Sequence, residues 1–177
     1  MNSVKMPISQ RTAADVIAAL GLEPLEFEGG YFRQTYKSHN SAPASTFDIK
    51  SASSRSFSTA IYYLVTPENF SALHVVKSDE VFHYYAGDPV EMVQITQAGL
   101  ISRHLIGPDI FADQCPQVVV PRGVWQGLRL VQGGKWCLLG TTVSPGFEYE
   151  DFELADRTAL TSAYPTHAVA IKELTRG

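Results

Sequence analysis

Short β-rich runs follow one another at nearly even spacing through most of this chain, each broken by Gly, Pro or a polar turn. FSTAIYYLV (57–65), QVVVP (117–121), WQGLRLV (125–131) and WCLLGTTV (136–143) are all dense in β-branched and aromatic residues. VEMVQITQAG followed by LISRHLIG reads as a hairpin around Gln97-Ala98-Gly99. About eight to ten such strands, with no helices alternating between them, argue for an all-β antiparallel sandwich or jelly roll and against an α/β fold. The 177 residues are enough for one domain with a substantial core, and short for two.

The helical exceptions lie at the ends. Thr12 is placed to cap a helix over about 10–20, with Asp15 in its first turn, an apolar stripe through Val16, Ile17 and Leu20, and Gly21 as the stop. Near the other end Asp156 can cap a short helix over 157–163, and Tyr164-Pro165 ends it before a second short helix over 166–174. Lys37 to Arg55 is rich in Ser and Ala and has no apolar period; it is expected to be an exposed loop serving as a lid or interface.

The stretch most suggestive of chemistry is FSALHVVKSDEVFHYYAG (70–87), two strands joined through Lys77-Ser78-Asp79 into a hairpin. Alternation along a strand puts His74 and Val76 on one face. Glu80, Phe82 and Tyr84 share a face on the returning strand, while simple alternation turns His83 to the outside, an orientation that a bulge would reverse. An imidazole and a carboxylate then enter one cavity. Ahead of it, EGGYFRQTY (28–36) places a glycine turn before an aromatic strand in which Arg33 needs an anionic or carbonyl partner, either a ligand group or, if it points outward, a surface salt bridge or dimer contact.

The net charge of −4 is spread over scattered residues with no basic run, which excludes the electrostatic footprint of a nucleic-acid binder. No apolar stretch approaches the roughly 20 residues of a membrane span. The opening MNSVKMPISQRTAADV lacks the apolar core of an export signal, so a cytoplasmic location is expected. Cys115 and Cys137 are expected to be unpaired, buried or half-buried thiols. The aromatic strand at 30–36 is a candidate edge for pairing with a second subunit, and a homodimer is expected.

From His74 onward the chain resembles the first motif of the cupin superfamily, His-x-His followed by Glu and Gly. Val76 stands where the second histidine belongs, Glu80 follows, and Gly87 closes the motif. Pro121-Arg122-Gly123-Val124-Trp125-Gln126 resembles the second motif, with Gln126 in place of its histidine. With EGGYFRQTY and VSPGFEYEDFEL, the likeness extends over most of the chain and points to an uncharacterised cupin family near the dTDP-sugar epimerase-like cupins. It implies a jelly-roll barrel with its core over about 28–152 inside a single domain, 1–177.

The resemblance also implies a metal position, but with two imidazoles lost a divalent metal would rest on His74, Glu80, Gln126 and water, and no cofactor is expected. Three functions are compatible with the residues. The first is a metal-independent isomerase or epimerase acting on a small, sugar-derived ligand. In it His74 is the base, Tyr84 the donor, Glu80 the group that orients the imidazole, and Arg33 the anchor for an anionic group. The second is a non-enzymatic binding module in which Phe82, Trp125 and other aromatics enclose a ligand fixed by His74, Glu80 and Gln126. The third is a metal-dependent enzyme with a reduced ligand set. Against all three stands a plain structural role for His74 and Glu80 as a satisfied buried pair.

Overall fold

A computed structural model describes residues 7–176; the first six residues of the N-terminal reading above lie outside that range. Thirteen strands are present among the described residues. They are β1 (Glu23–Pro24), β2 (Tyr31–Lys37), β3 (Ser41–Pro43), β4 (Ser54–Ser56), β5 (Thr59–Val65), β6 (Ser71–Val76) and β7 (Asp79–Gly87), then β8 (Val90–Ile95), β9 (Ile101–Ile106), β10 (Gln117–Val120), β11 (Trp125–Leu130), β12 (Cys137–Ser144) and β13 (Phe152–Leu154). They form an antiparallel sheet of six in the order β1-β2-β5-β12-β7-β10, a second of five in the order β13-β6-β11-β8-β9, and the small pair β3-β4. This is the all-β jelly-roll architecture the strand pattern calls for.

Alternation sorts the side chains into layers. Tyr63, Val65, Phe82 and Leu139 from the larger sheet meet Met92 and Leu128 from the smaller one in an apolar core between them. On the outer face of the larger sheet, Leu64, Trp136 and Leu138 are covered by the helix α1 (Ala13–Leu20) through Val16, with Leu22 just beyond its end. Thr12 and Asp15 close a capping box at its start, and Gly21 ends it in the left-handed conformation. On the outer face of the smaller sheet, Leu73, Val93 and Ile95 pack against α2 (Arg157–Ala163) and α3 (Ala168–Glu173). Asp156 caps α2, accepting from the Ala159 amide at 2.7 Å. No helix among the described residues is long and apolar enough to cross a membrane.

Three expectations need correction. The segment 70–87 is not a hairpin: β6 pairs with β11 and β13, β7 pairs with β12 and β10, and the turn between them carries the chain from one sheet to the other. The loop 37–55 is not wholly exposed, since it holds the β3-β4 pair and buries Ala44, Ile49 and Arg55. Arg55 is fully enclosed and makes a two-point pair with Asp151, Nε to Oδ2 at 2.6 Å and Nη2 to Oδ1 at 2.9 Å. Cys137 is buried and Cys115 exposed, so only the first matches the buried-thiol expectation.

Candidate functional site

His74 on β6 and Gln126 on β11 are directly paired across the smaller sheet, and Glu80 reaches them from β7 of the larger one. The turn geometry makes this convergence possible: the Gly123 amide donates to the Val76 carbonyl at 2.9 Å, and the Arg122 amide to Asp79 Oδ1 at 2.8 Å. Gly123, with φ of 76°, supplies the left-handed backbone that this approach needs. The two cupin-like segments are thereby tied end to end, and their inward side chains face each other.

His74, Glu80 and Gln126 are 2%, 6% and 0% exposed. His74 Nδ1 lies 2.8 Å from the Ala72 carbonyl, which only accepts, so Nδ1 carries the proton and Nε2 presents a lone pair. The Gln126 amide nitrogen donates both its hydrogens, to His74 Nε2 at 2.6 Å and to Glu80 Oε2 at 2.9 Å. The imidazole and carboxylate themselves are 3.9 Å apart, beyond hydrogen-bond reach, so Gln126 is the link between them. Its other amide atom, Oε1, is buried with no partner. Burial pushes the Glu80 carboxyl up to about 7; proximity to His74 opposes this, the charge of Glu28 adds to it, and the Gln126 hydrogen bond works against it.

Phe82 lies on the same inward face, 2% exposed, in the core beside the polar group. Three predicted site residues do not join it. Arg33 stands on the outer face of the larger sheet, over the Tyr62 ring at 5.5 Å, because alternation along β2 gives the inward position to Phe32. Trp125 is likewise on the outer face of the smaller sheet, packed under α2, since Gln126 beside it takes the inward position. Tyr84 does face inward, but it is four residues along β7 from Glu80, about 13 Å at 3.3 Å per residue. Its hydroxyl donates to the Gly87 carbonyl at 2.6 Å, away from His74. His83 lies outside, between Gln117 and Thr142, as alternation requires.

The structure adds groups that periodicity missed. Phe152, on β13, lies against the His74 ring with centroids 5.1 Å apart. Ser71 is inward although three residues from His74: Leu128 pairs with Ser71 and Gln126 with His74, so β6 carries an extra residue and the bulge returns both to one face. Its hydroxyl donates to Glu28 Oε1 at 2.6 Å. Only Glu28 had a visible signal, the glycine pair that follows it.

The metal position that the resemblance implies meets a thin donor set in these residues, one imidazole, one carboxylate and one amide. Among the described residues no three His, Cys, Asp or Glu side chains converge on one point. Val76 contributes only methyl groups where the first motif would supply an imidazole, and the Gln126 amide nitrogen occupies the reach of both remaining donors.

Comparison with known proteins follows the same lines. Residues 14–155 match the family model described as Cupin superfamily (DUF985). An uncharacterized protein of Saccharomyces cerevisiae is 27% identical over 136 residues, covering 70% of this chain and 66% of its own length, just under two thirds. Among solved structures, a protein from Shewanella oneidensis aligns with a TM-score of 0.82 and 32% identity over 94% of this chain and 98% of the other. A hypothetical protein from Leishmania major aligns with a TM-score of 0.86 and 31% identity, over 94% of this chain and all 100% of that one.

Proposed function

Since this chain belongs to the DUF985 family of the cupin superfamily, we propose that it is a small-molecule-binding protein whose barrel takes a small polar ligand onto His74, Gln126 and Glu80. The observation that carries this reading is the unpartnered Gln126 Oε1, a fully buried carbonyl between an imidazole and a carboxylate. Leaving such an acceptor unbonded costs about 1–3 kcal/mol, a cost that a ligand hydroxyl or amine donating to it would remove. Phe82 and Phe152 supply the apolar walls on which such a ligand rests.

A second reading, a metal-independent isomerase or epimerase, is favoured by Glu80, which holds its proton up to about pH 7 and is therefore suited to exchange it near neutrality. His74 Nε2 is the partner base in that reading. Tyr84 is too remote to be the donor, so the ligand's second proton would have to come from another inward group. The expected homodimer stays with this proposal, through the edge of β2 beyond Phe32, where β1 stops.

The test is thermal-shift titration with neutral sugars and polyols on the native protein and on Gln126→Leu. Binding predicts a rise in melting temperature that the substitution removes. An equal rise in both proteins, or none with any compound at tens of millimolar, would sink the assignment.

A further inference from the structure

The Glu28-Gly29-Gly30 turn is the feature of the sequence that the His74 site leaves unexplained. Both glycines have positive φ, 105° and 77°, and both are pressed against backbone. A Cβ on Gly30 would meet the Leu64 carbonyl at 2.7 Å, and one on Gly29 would overlap the Phe70 carbonyl. The turn is held where it is: the Glu28 carbonyl accepts from the Ala72 amide at 2.9 Å, bridging the larger sheet's edge to β6, and Arg176 donates to the carbonyls of Phe27 and Glu28. The result is a carboxylate delivered into the barrel beside the bulge of β6. Glu28 Oε1 receives the hydroxyl of Ser71, which is fully buried, and Tyr63, whose hydroxyl is buried and donates to the Gly29 carbonyl at 2.8 Å, lies next to them.

Ser71 and His74 share the inward face of β6, and the Glu28 charge adds to the burial that pushes the Glu80 carboxyl up. Glu28 itself is only half-buried, so the polar run that begins at Gln126 reaches the surface there. Among the described residues the one guanidinium at this turn is that of Arg176, and its donors are directed to the backbone carbonyls of Phe27, Glu28 and Phe70. Arg33 is on the outer face and Arg55 is paired with Asp151, whereas Arg176 directs its donors to backbone carbonyls and lies over Phe70, on the side packed against the C-terminal helices.

Building on the barrel-ligand reading above, we infer that Glu28, with Ser71 and Tyr63, forms the second polar half of the binding site. The site as a whole then takes a small ligand bearing two or more hydroxyl or amino donors and no anionic group. One donor meets Gln126 Oε1 and the other meets the Glu28 carboxylate; an acid or a phosphate would face the Glu28 and Glu80 carboxyl groups, with the donors of the nearby Arg176 already directed to backbone carbonyls.

The experiment is an NMR titration of the native protein, followed at the His74 ring, with glucose, glucosamine, gluconate and glucose 6-phosphate, repeated on Glu28→Gln, Ser71→Ala and Gln126→Leu. Glucose or glucosamine should bind, the two anions should not, and Glu28→Gln should weaken binding about tenfold, the effect of losing one charge-assisted hydrogen bond. Ser71→Ala serves as the second variant should the Glu28 change disturb folding. The Glu80 carboxyl titration is an independent readout: removing the Glu28 charge should lower it. Unchanged affinity and titration in Glu28→Gln would overturn the inference while leaving the barrel reading intact. Tighter binding of the anions would overturn the ligand class. No binding by any of the four, to native protein at tens of millimolar, would count against both.

Discussion

Replacing Glu80 by Gln should remove a pH dependence of stability that the native protein carries. Glu80 titrates at about 7 when folded, against 4.5 as the ordinary value for a glutamate. The folded state therefore binds the Glu80 proton more tightly than the unfolded state does. The resulting stabilisation is fully present below pH 4.5 and is lost as the pH rises through 7. At about 1.4 kcal/mol per pH unit, the interval from 4.5 to about 7 amounts to about 3 kcal/mol. For a chain of this length that is about 6–12 °C in melting temperature. The assay is urea unfolding of the native protein and Glu80→Gln from pH 4.5 to 8.5, because subtracting one curve from the other cancels groups that titrate alike in both. The native protein should lose about 3 kcal/mol relative to the variant across that range. A difference that stays flat within about 0.5 kcal/mol, the scatter usual for independent sites, would refute the argument that burial dominates at Glu80.

Other substitutions test the scaffold and the placement of side chains. Arg55→Ala removes the two-point partner of buried Asp151, leaving it only Lys77 at 3.5 Å, and should cost about 3 kcal/mol in denaturant unfolding; a loss under about 1 kcal/mol would show the pair to be replaceable. Gly30→Ala introduces a Cβ at positive φ against the Leu64 carbonyl, and calorimetry should report a loss of about 2 kcal/mol. Arg33→Ala should cost under about 1 kcal/mol and leave ligand affinity unchanged, since it removes only an outer-face contact with Tyr62. Any marked loss of affinity in that variant would return Arg33 to the site.

The fold was legible because the signals that specify it are local. Thr12, Asp15 and Gly21 announce α1, Asp156 announces α2, and the β-branched runs mark most long strands to within a few residues. The inward positions of His74, Glu80, Phe82 and Gln126 follow from alternation and from the motif resemblance. What failed was whatever depends on pairing between distant segments. Sequence adjacency made 70–87 look like a hairpin, whereas β6 finds its partners at β11 and β13. Arg33 and Trp125 were assigned by residue type, and each lost the inward position to its neighbour. Ser71 was missed because a bulge suspends the period of two, and a bulge is visible only once the partner strand is known.

The passage of the chain from one sheet to the other between Val76 and Asp79 has a further consequence. His74 and Gln126 belong to one sheet and Glu80 to the other, so the Gln126 amide bridges the gap across which the two halves of the core are packed. The cluster thus acts as a caliper on the width of the sandwich. A core substitution such as Leu139→Phe, on β12 in the apolar core between the sheets, would act on it by spreading the jaws. The proton affinity of Glu80 is therefore open to tuning from the hydrophobic interior, with His74, Gln126 and Glu80 themselves unchanged.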